Sequence, residues 1–233
     1  MKTTLLIPTL NEIGGVRVIM PQINRQWCDQ VLIVDGGSTD GTVEYLRQQG
    51  YEIVTQRRKG IRFAFLDALP HVTGDVLITF TPDGNSLAQA IPPLVAKMRE
   101  GYDMVIVSRY LDGAKSEDDD FVSGLANRVF TLTINTLFRG RYTDAMVMFR
   151  AYRRAMIEEL DLDKDRSYWP EEALMHAPVG LEPLLSIRAA KRRLKIAEIP
   201  GDEPQRIGGR KPLHVKWGFA YIMEIMRELI FWR

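Results

Sequence analysis

The sequence predicts an α/β protein with a mostly parallel central sheet flanked by helices, and three observations carry that prediction. Short apolar runs rich in β-branched residues alternate with helical stretches through the first half of the chain. Val31–Val34 is apolar throughout, as expected of a strand covered on both faces. Polar loops follow the ends of successive strands, where open sheets of this class bind their ligands.

The elements follow in order. Thr3–Ile7 is short and β-branched, and Pro8 ends it. A helix is expected from Gly14 to Gln26, then the strand Val31–Val34 and a turn, Asp35–Thr42. There Ser38, Thr39 or Asp40 can cap a helix over Val43–Gln49. Glu52–Thr55 reads as a third strand, Ile61–Ala68 as a helix and Asp75–Phe80 as a fourth strand. Gln89–Glu100 is helical, with Pro92-Pro93 suited to its first turn, and Met104–Val107 is a fifth strand. After Tyr110 the pattern changes. A charged loop expected to be mobile, Lys115–Asp120, precedes a helix over Gly124–Phe138. Met146–Tyr152 reads as a strand, Leu181–Lys191 as a helix, Ile196–Ile199 as a strand and Asp202–Lys211 as a basic, glycine-containing loop.

Composition narrows the class. The 233 residues suit one domain of generous size, divided here into residues 1–212 and an amphipathic tail, 213–233. With 31 Lys+Arg against 30 Asp+Glu, net charge offers nothing toward a nucleic-acid partner. A single cysteine, Cys28, excludes an internal disulfide and a cysteine-rich zinc site, which fits a reducing compartment. Lys2 and the brief apolar run before Pro8 make no signal peptide, and no run of about 20 apolar residues is present for a membrane span. A cytoplasmic protein, soluble or peripheral on the membrane, is expected.

The loops at Asn11-Glu12, Asp35–Ser38, Thr81–Asn85 and Ser108-Arg109 should converge on one crevice at the carboxyl edge of the sheet. The Asp35–Thr42 turn lacks the Gly-x-Gly-x-x-Gly order of a dinucleotide fold, and its leading carboxylate can accept hydrogen bonds from a base or ribose. His71, His176 and His214 are dispersed without ligand spacing and read as structural. Trp169-Pro170-Glu171-Glu172 reads as a helix start, with contact to a donor sugar as the alternative.

The combination of Pro8-Thr9-Leu10-Asn11-Glu12, Asp35-Gly-Gly-Ser-Thr-Asp-Gly-Thr and Lys59-Gly60 resembles family 2 glycosyltransferases of the GT-A fold. Gly74-Asp75, Ser108-Arg109-Tyr110 and Phe149-Arg150-Ala151-Tyr152-Arg153-Arg154 narrow the resemblance to dolichol-phosphate mannosyltransferase-like proteins. It implies that Pro8, Asn11, Glu12 and Asp35 line the base and ribose of a nucleotide-diphosphate sugar, with Lys59 near the donor. Asp83 and Asn85 match the positions that hold Mg²⁺ or Mn²⁺ against the diphosphate. Thr81 stands where the family has its first aspartate, which predicts weaker metal binding, and Gly36 replaces a second acidic residue, which bears on base recognition. A hard cation needs only one or two protein carboxylates when phosphates complete its shell.

By the same resemblance, Arg109 binds the phosphate of a polyprenyl acceptor and serves catalysis with Asp83, with Arg128 and Arg150 as companions. Arg206 and Lys211 match a basic loop that closes over the diphosphate, a solvated loop being the alternative. A phosphate acceptor is already anionic and needs no general base, so one direct displacement predicts inversion. Transfer to a saccharide hydroxyl would need a carboxylate base, for which Asp118, Asp119, Asp120, Glu171 and Glu172 are the candidates. A non-catalytic nucleotide-sugar-binding protein is the reading that Thr81 keeps open. The tail from Leu213 to Arg233 is too charged to span a bilayer. It fits either the membrane interface or packing on the domain.

Overall fold

The computed structural model describes residues 1–207 and 215–230. Seven strands form one sheet: β1 (Thr3–Thr9), β2 (Gln30–Asp35), β3 (Glu52–Thr55), β4 (Val76–Thr79), β5 (Met104–Ser108), β6 (Arg150–Arg153) and β7 (Ile196–Pro200). Their order is β3-β2-β1-β4-β6-β5-β7. All pairings are parallel except those of β6, which runs antiparallel to both β4 and β5. Among the described residues nine α-helices accompany them: α1 (Ile13–Ile19), α2 (Thr42–Gln48), α3 (Ile61–Ala68), α4 (Ile91–Arg99), α5 (Phe121–Phe138), α6 (Met156–Glu159), α7 (Glu171–Met175), α8 (Glu182–Lys191) and α9 (Val215–Ile230).

Side-chain alternation along the strands builds two cores. Leu5, Ile7 and Ile33 face α1, α2 and α4, whereas Leu6, Leu32 and Val34 face α3, α5, α8 and α9. Both sheet faces are therefore covered, which is why the central strands are apolar throughout. The inner side of α9 joins the second core through Ala220 and Ile225.

Three expectations change. The helix expected over 14–26 stops at Ile19 and continues as two 3₁₀ turns, because Pro21 sits at the start of the first. The strand expected over 146–152 is confined to Arg150–Arg153, and residues 146–149 instead border a cavity. The 115–120 loop is tied down rather than loose: Lys115 N donates to Asp202 Oδ1 at 2.9 Å and Glu117 N to Glu203 O at 2.8 Å. At its end, Asp120 and Ser123 form a reciprocal capping box that starts α5.

Candidate active site

The loops after β1, β4 and β5 meet at a cavity of about 590 Å³, bordered also by α3, the start of α8 and the 203–206 segment. That volume falls within the range of small-ligand sites. On the β1–β3 side, Pro8 and Glu12 border it, together with Gln56 and Gly60. Asn11 and Asp35 do not face it. Asp35 is 3% exposed and accepts from Gly37 N (2.8 Å), Ser38 N (2.9 Å), Ser38 Oγ (2.5 Å) and Thr9 Oγ1 (3.1 Å). Its carboxylate shapes the turn through these four hydrogen bonds. Asn11, at φ 54°, bolts the neighbouring loop to that turn: its Oδ1 accepts from Thr39 N at 2.8 Å, and its own N donates to Ser38 Oγ at 2.9 Å. Lys59 is exposed and lies outside the cavity lining, beside Gly60.

The loop after β4 is pressed into place from two sides. Gly15 of α1 lies so close that a Cβ there would meet Pro82 O at 2.2 Å. Gly84, at φ +89°, packs under Ile207, whose N donates to Asp83 O at 2.7 Å. Asp83 and Asn85 are both buried yet border the cavity. Asp83 Oδ1 accepts Asn85 N at 3.3 Å, and its Oδ2 lies 3.5 Å from Arg206 Nη1. Asn85 Oδ1 accepts from Thr81 Oγ1 at 3.1 Å, and Asn85 Nδ2 donates to Glu203 Oε1 at 3.2 Å. Among the described residues no cluster of three or more His, Cys, Asp or Glu could hold a cation alone. One carboxylate and an adjacent amide oxygen still fit a hard cation whose remaining ligands are phosphates and water. Among the described residues Arg206, also paired with Asp118 at 2.9 Å, is the cation that meets Asp83. Lys211 lies outside the described residues.

Arg109, which also borders the cavity, is held in a fork. Its Nε and Nη2 donate to Asp144 at 2.6 and 3.0 Å, and its Nη1 to Glu203 Oε2 at 3.1 Å. Asp119 stands 3.6 Å from the same Nη1. Burial alone would raise Asp144, but the hydrogen bonds and charge of Arg109 hold it below the usual carboxylate range. Burial pushes Glu203 up, against the pull of Arg109. The sequence reading singled out neither Asp144 nor Glu203 as a site residue. Asp144 accounts for why Arg109 points into the crevice, and Glu203 links Arg109 to the Asn85 loop.

Arg128 is exposed and sits 5.9 Å from the Tyr110 ring, in a separate depression between the 114–120 loop and α5. Arg150 is a correction. Its side chain is 0% exposed, faces the core beneath the cavity, and donates to Val147 O, Ala145 O at 3.2 Å and Ser186 Oγ at 2.9 Å. A guanidinium so enclosed braces backbone carbonyls and does not meet an acceptor. Glu171 and Glu172 also leave the list of candidate bases. They pair with Arg227 at 2.6 Å and Arg62 at 2.7 Å, and neither lines the cavity.

Residues 4–161 match the family described as Glycosyl transferase family 2. Glycosyltransferase AglJ of Haloferax volcanii is 27% identical over 200 residues, covering 84% of this chain and 61% of the relative. An undecaprenyl-phosphate 4-deoxy-4-formamido-L-arabinose transferase of Salmonella choleraesuis is 26% identical over 243 residues, covering 98% of this chain and 66% of the relative. The chain thus spans somewhat under two thirds of the length of these curated relatives. Among solved structures, glucosyl-3-phosphoglycerate synthase from Mycobacterium tuberculosis, in complex with Mn²⁺, UDP and phosphoglyceric acid, superposes with a TM-score of 0.71 at 17% identity. That alignment covers 98% of this chain and 78% of the other, and shows the shared fold.

Proposed function

The chain belongs to glycosyl transferase family 2, and on that premise we propose that it transfers a sugar from a nucleoside-diphosphate donor to a polyprenyl phosphate, with inversion at the anomeric carbon. The observation that carries the reading is that Asp83 and Arg109 border one crevice, with Glu203 bridging Arg109 to Asn85. Two further features support it. Undecaprenyl phosphate stands in the name of a relative aligned over 98% of the chain. The outer side of α5 is apolar beside Arg128: Phe121 is 84% exposed and Leu132 66%. An apolar face of that kind suits a lipid chain or a membrane surface. No described helix is long and apolar enough to cross a membrane.

The chemistry asks for positioning and charge neutralisation. An acceptor phosphate oxygen forms the new bond to the anomeric carbon, while the bond to the diphosphate breaks and its electron pair leaves with the nucleoside diphosphate. Asp83 and Asn85 would hold Mg²⁺ or Mn²⁺, which neutralises charge gathering on that leaving group. Arg206 exchanges Asp83 for the diphosphate. Arg109 keeps its Nε and Nη2 on Asp144 and turns Nη1 from Glu203 to the incoming phosphate. Glu203, the buried carboxyl at that point, is the feature favouring a second reading, transfer to a sugar hydroxyl with Glu203 as base.

Incubation with labelled UDP-glucose or GDP-mannose, Mn²⁺ and undecaprenyl phosphate is expected to move label into the organic phase. Label appearing only on an added saccharide selects the second reading. Arg109→Ala is expected to raise the acceptor KM or lower turnover by about tenfold, the loss of one charge-assisted hydrogen bond, with donor affinity nearly unchanged. A defect confined to donor binding removes Arg109 from the acceptor site.

A further inference from the structure

The inner face of α5 reaches the crevice through one amide. Asn127 is buried, and its Nδ2 donates to Asp144 Oδ1 at 3.0 Å and to Tyr110 Oη at 3.2 Å. One turn further along the helix, Thr131 Oγ1 accepts Ala145 N at 3.2 Å and donates to Asn127 Oδ1 at 3.3 Å. That fixes which way the amide faces: with its oxygen on Thr131, both hydrogens of Nδ2 turn to Asp144 and Tyr110. Having accepted from Asn127, the Tyr110 hydroxyl gives its own proton to Asp119.

These bonds bear on the guanidinium of Arg109. It can hand Nη1 to a phosphate only if its other nitrogens keep their place, and Asp144 holds them. Among the described residues Arg109 and Asn127 are the two side chains that donate to the Asp144 carboxylate. The backbone donors Arg109 N and Met146 N stand further off, at 3.3 and 3.4 Å. A carboxylate gripped chiefly by the guanidinium it holds would move with it, whereas one also held from a helix stays put. Through Tyr110 the same amide engages Asp119, which stands 3.6 Å from Arg109 Nη1 and competes for it. Asn127 does not line the cavity, so any effect on a substrate must pass through these partners.

We propose that Asn127 is a positioning residue: acting through Asp144 and Tyr110, it keeps the Arg109 guanidinium in the orientation that receives the acceptor phosphate. The inference rests on the role given to Arg109 in the transferase reading above.

The test measures acceptor and donor kinetics for the wild type, Asn127→Ala, Arg109→Ala and the double variant. The acceptor is undecaprenyl phosphate, and the donor is whichever of UDP-glucose and GDP-mannose serves. Asn127→Ala is expected to raise the acceptor KM or lower turnover about tenfold, the scale of one hydrogen bond to a charged group. Donor affinity should stay within about twofold, which also reports an intact fold. In the Arg109→Ala background the same substitution should change either acceptor parameter by less than about twofold, because nothing is left to position. Asn127→Asp keeps the shape but sets a second carboxylate against Asp144 and Tyr110, with Arg109 and Asp119 bonded to those two. Its turnover relative to the wild type should be low at about pH 8 and recover toward about pH 6, as one carboxyl of the pair regains a proton to donate. Equal losses from Asn127→Ala in both backgrounds, a matching loss of donor affinity, or a flat Asn127→Asp ratio across pH would overturn the inference and leave the transferase reading in place. No transfer to undecaprenyl phosphate by the wild type, or unchanged acceptor kinetics in Arg109→Ala, overturns both.

Discussion

The two halves of this molecule bury very different things. The sheet segment from β1 to β5 and the helices against it, α1, α2 and α4, enclose aliphatic and aromatic side chains, with polar groups gathered at strand ends. The half after Tyr110 encloses charge. Arg188 and Glu228 pair at 2.8 Å with side chains 3% and 0% exposed, and Glu171, Glu224 and Arg227 stand beside them. Arg62 of α3 is drawn into the same style of packing by Asp165 and Glu172. The first half is thus a scaffold that any well-covered parallel sheet could provide. The second is a set of helices locked in one arrangement by matched ions, and those helices border the inner end of the crevice.

Removing one ion should break that contrast most forcefully. Arg188 also donates to Leu160 O at 2.7 Å and Ser167 Oγ at 2.9 Å. Arg188→Ala leaves Glu228 buried without its main partner and is expected to cost roughly 3–5 kcal/mol in urea unfolding. A loss within about 0.5 kcal/mol, the range of an ordinary surface change, would mean the network is ornamental. On the other side of the comparison, Asp83→Ala removes a carboxylate from a strand-end loop. Stability should change little, while turnover stimulated by Mg²⁺ or Mn²⁺ falls by about 100-fold, a value typical of losing one electrostatic contact to the transition state. Retained stimulation would take Asp83 out of the metal site.

The smallest effect is a slope. Burial pushes Glu224 from 4.5 to about 8, and Glu171 and Glu228 push it the same way against Arg227 and Arg188. The folded state then holds a proton that the unfolded chain releases above its ordinary value. This contribution to stability is complete at low pH and is lost as pH rises from about 4.5 to about 8. Glu224→Gln should flatten the decline between pH 5 and 8 relative to the wild type, as followed by urea unfolding at several pH values. Parallel profiles would show that Glu224 is charged in the folded protein.

This contrast also explains what could be read in advance. The strands β1 to β5 and the site loops after β1, β4 and β5 were legible, because apolar periodicity and the polar residues ending each run report directly on covered strands. Asp83, Asn85, Glu12, Arg206 and Arg109 all border one cavity. Arg150 was misread because a charged residue in sequence looks like a surface group, and nothing local announces Ser186 or the carbonyls that receive it. Glu203 escaped for a related reason. It gains its meaning from a partner distant in sequence, Arg109, 94 positions away. Asp35 shows the reverse: the motif was visible, but the hydrogen bonds by which its carboxylate shapes the turn were not.

Helix α9 ties these matters together. Phe219, Ile222 and Met226 stand outward on it at 50%, 59% and 52% exposure, while Tyr221 on the same rod forms part of the crevice wall next to Glu182. Arg227 and Glu228 clamp that rod to α7 and α8. The outward apolar face of α9 and the crevice wall at Tyr221 are thus two sides of one helix, about 10 Å across.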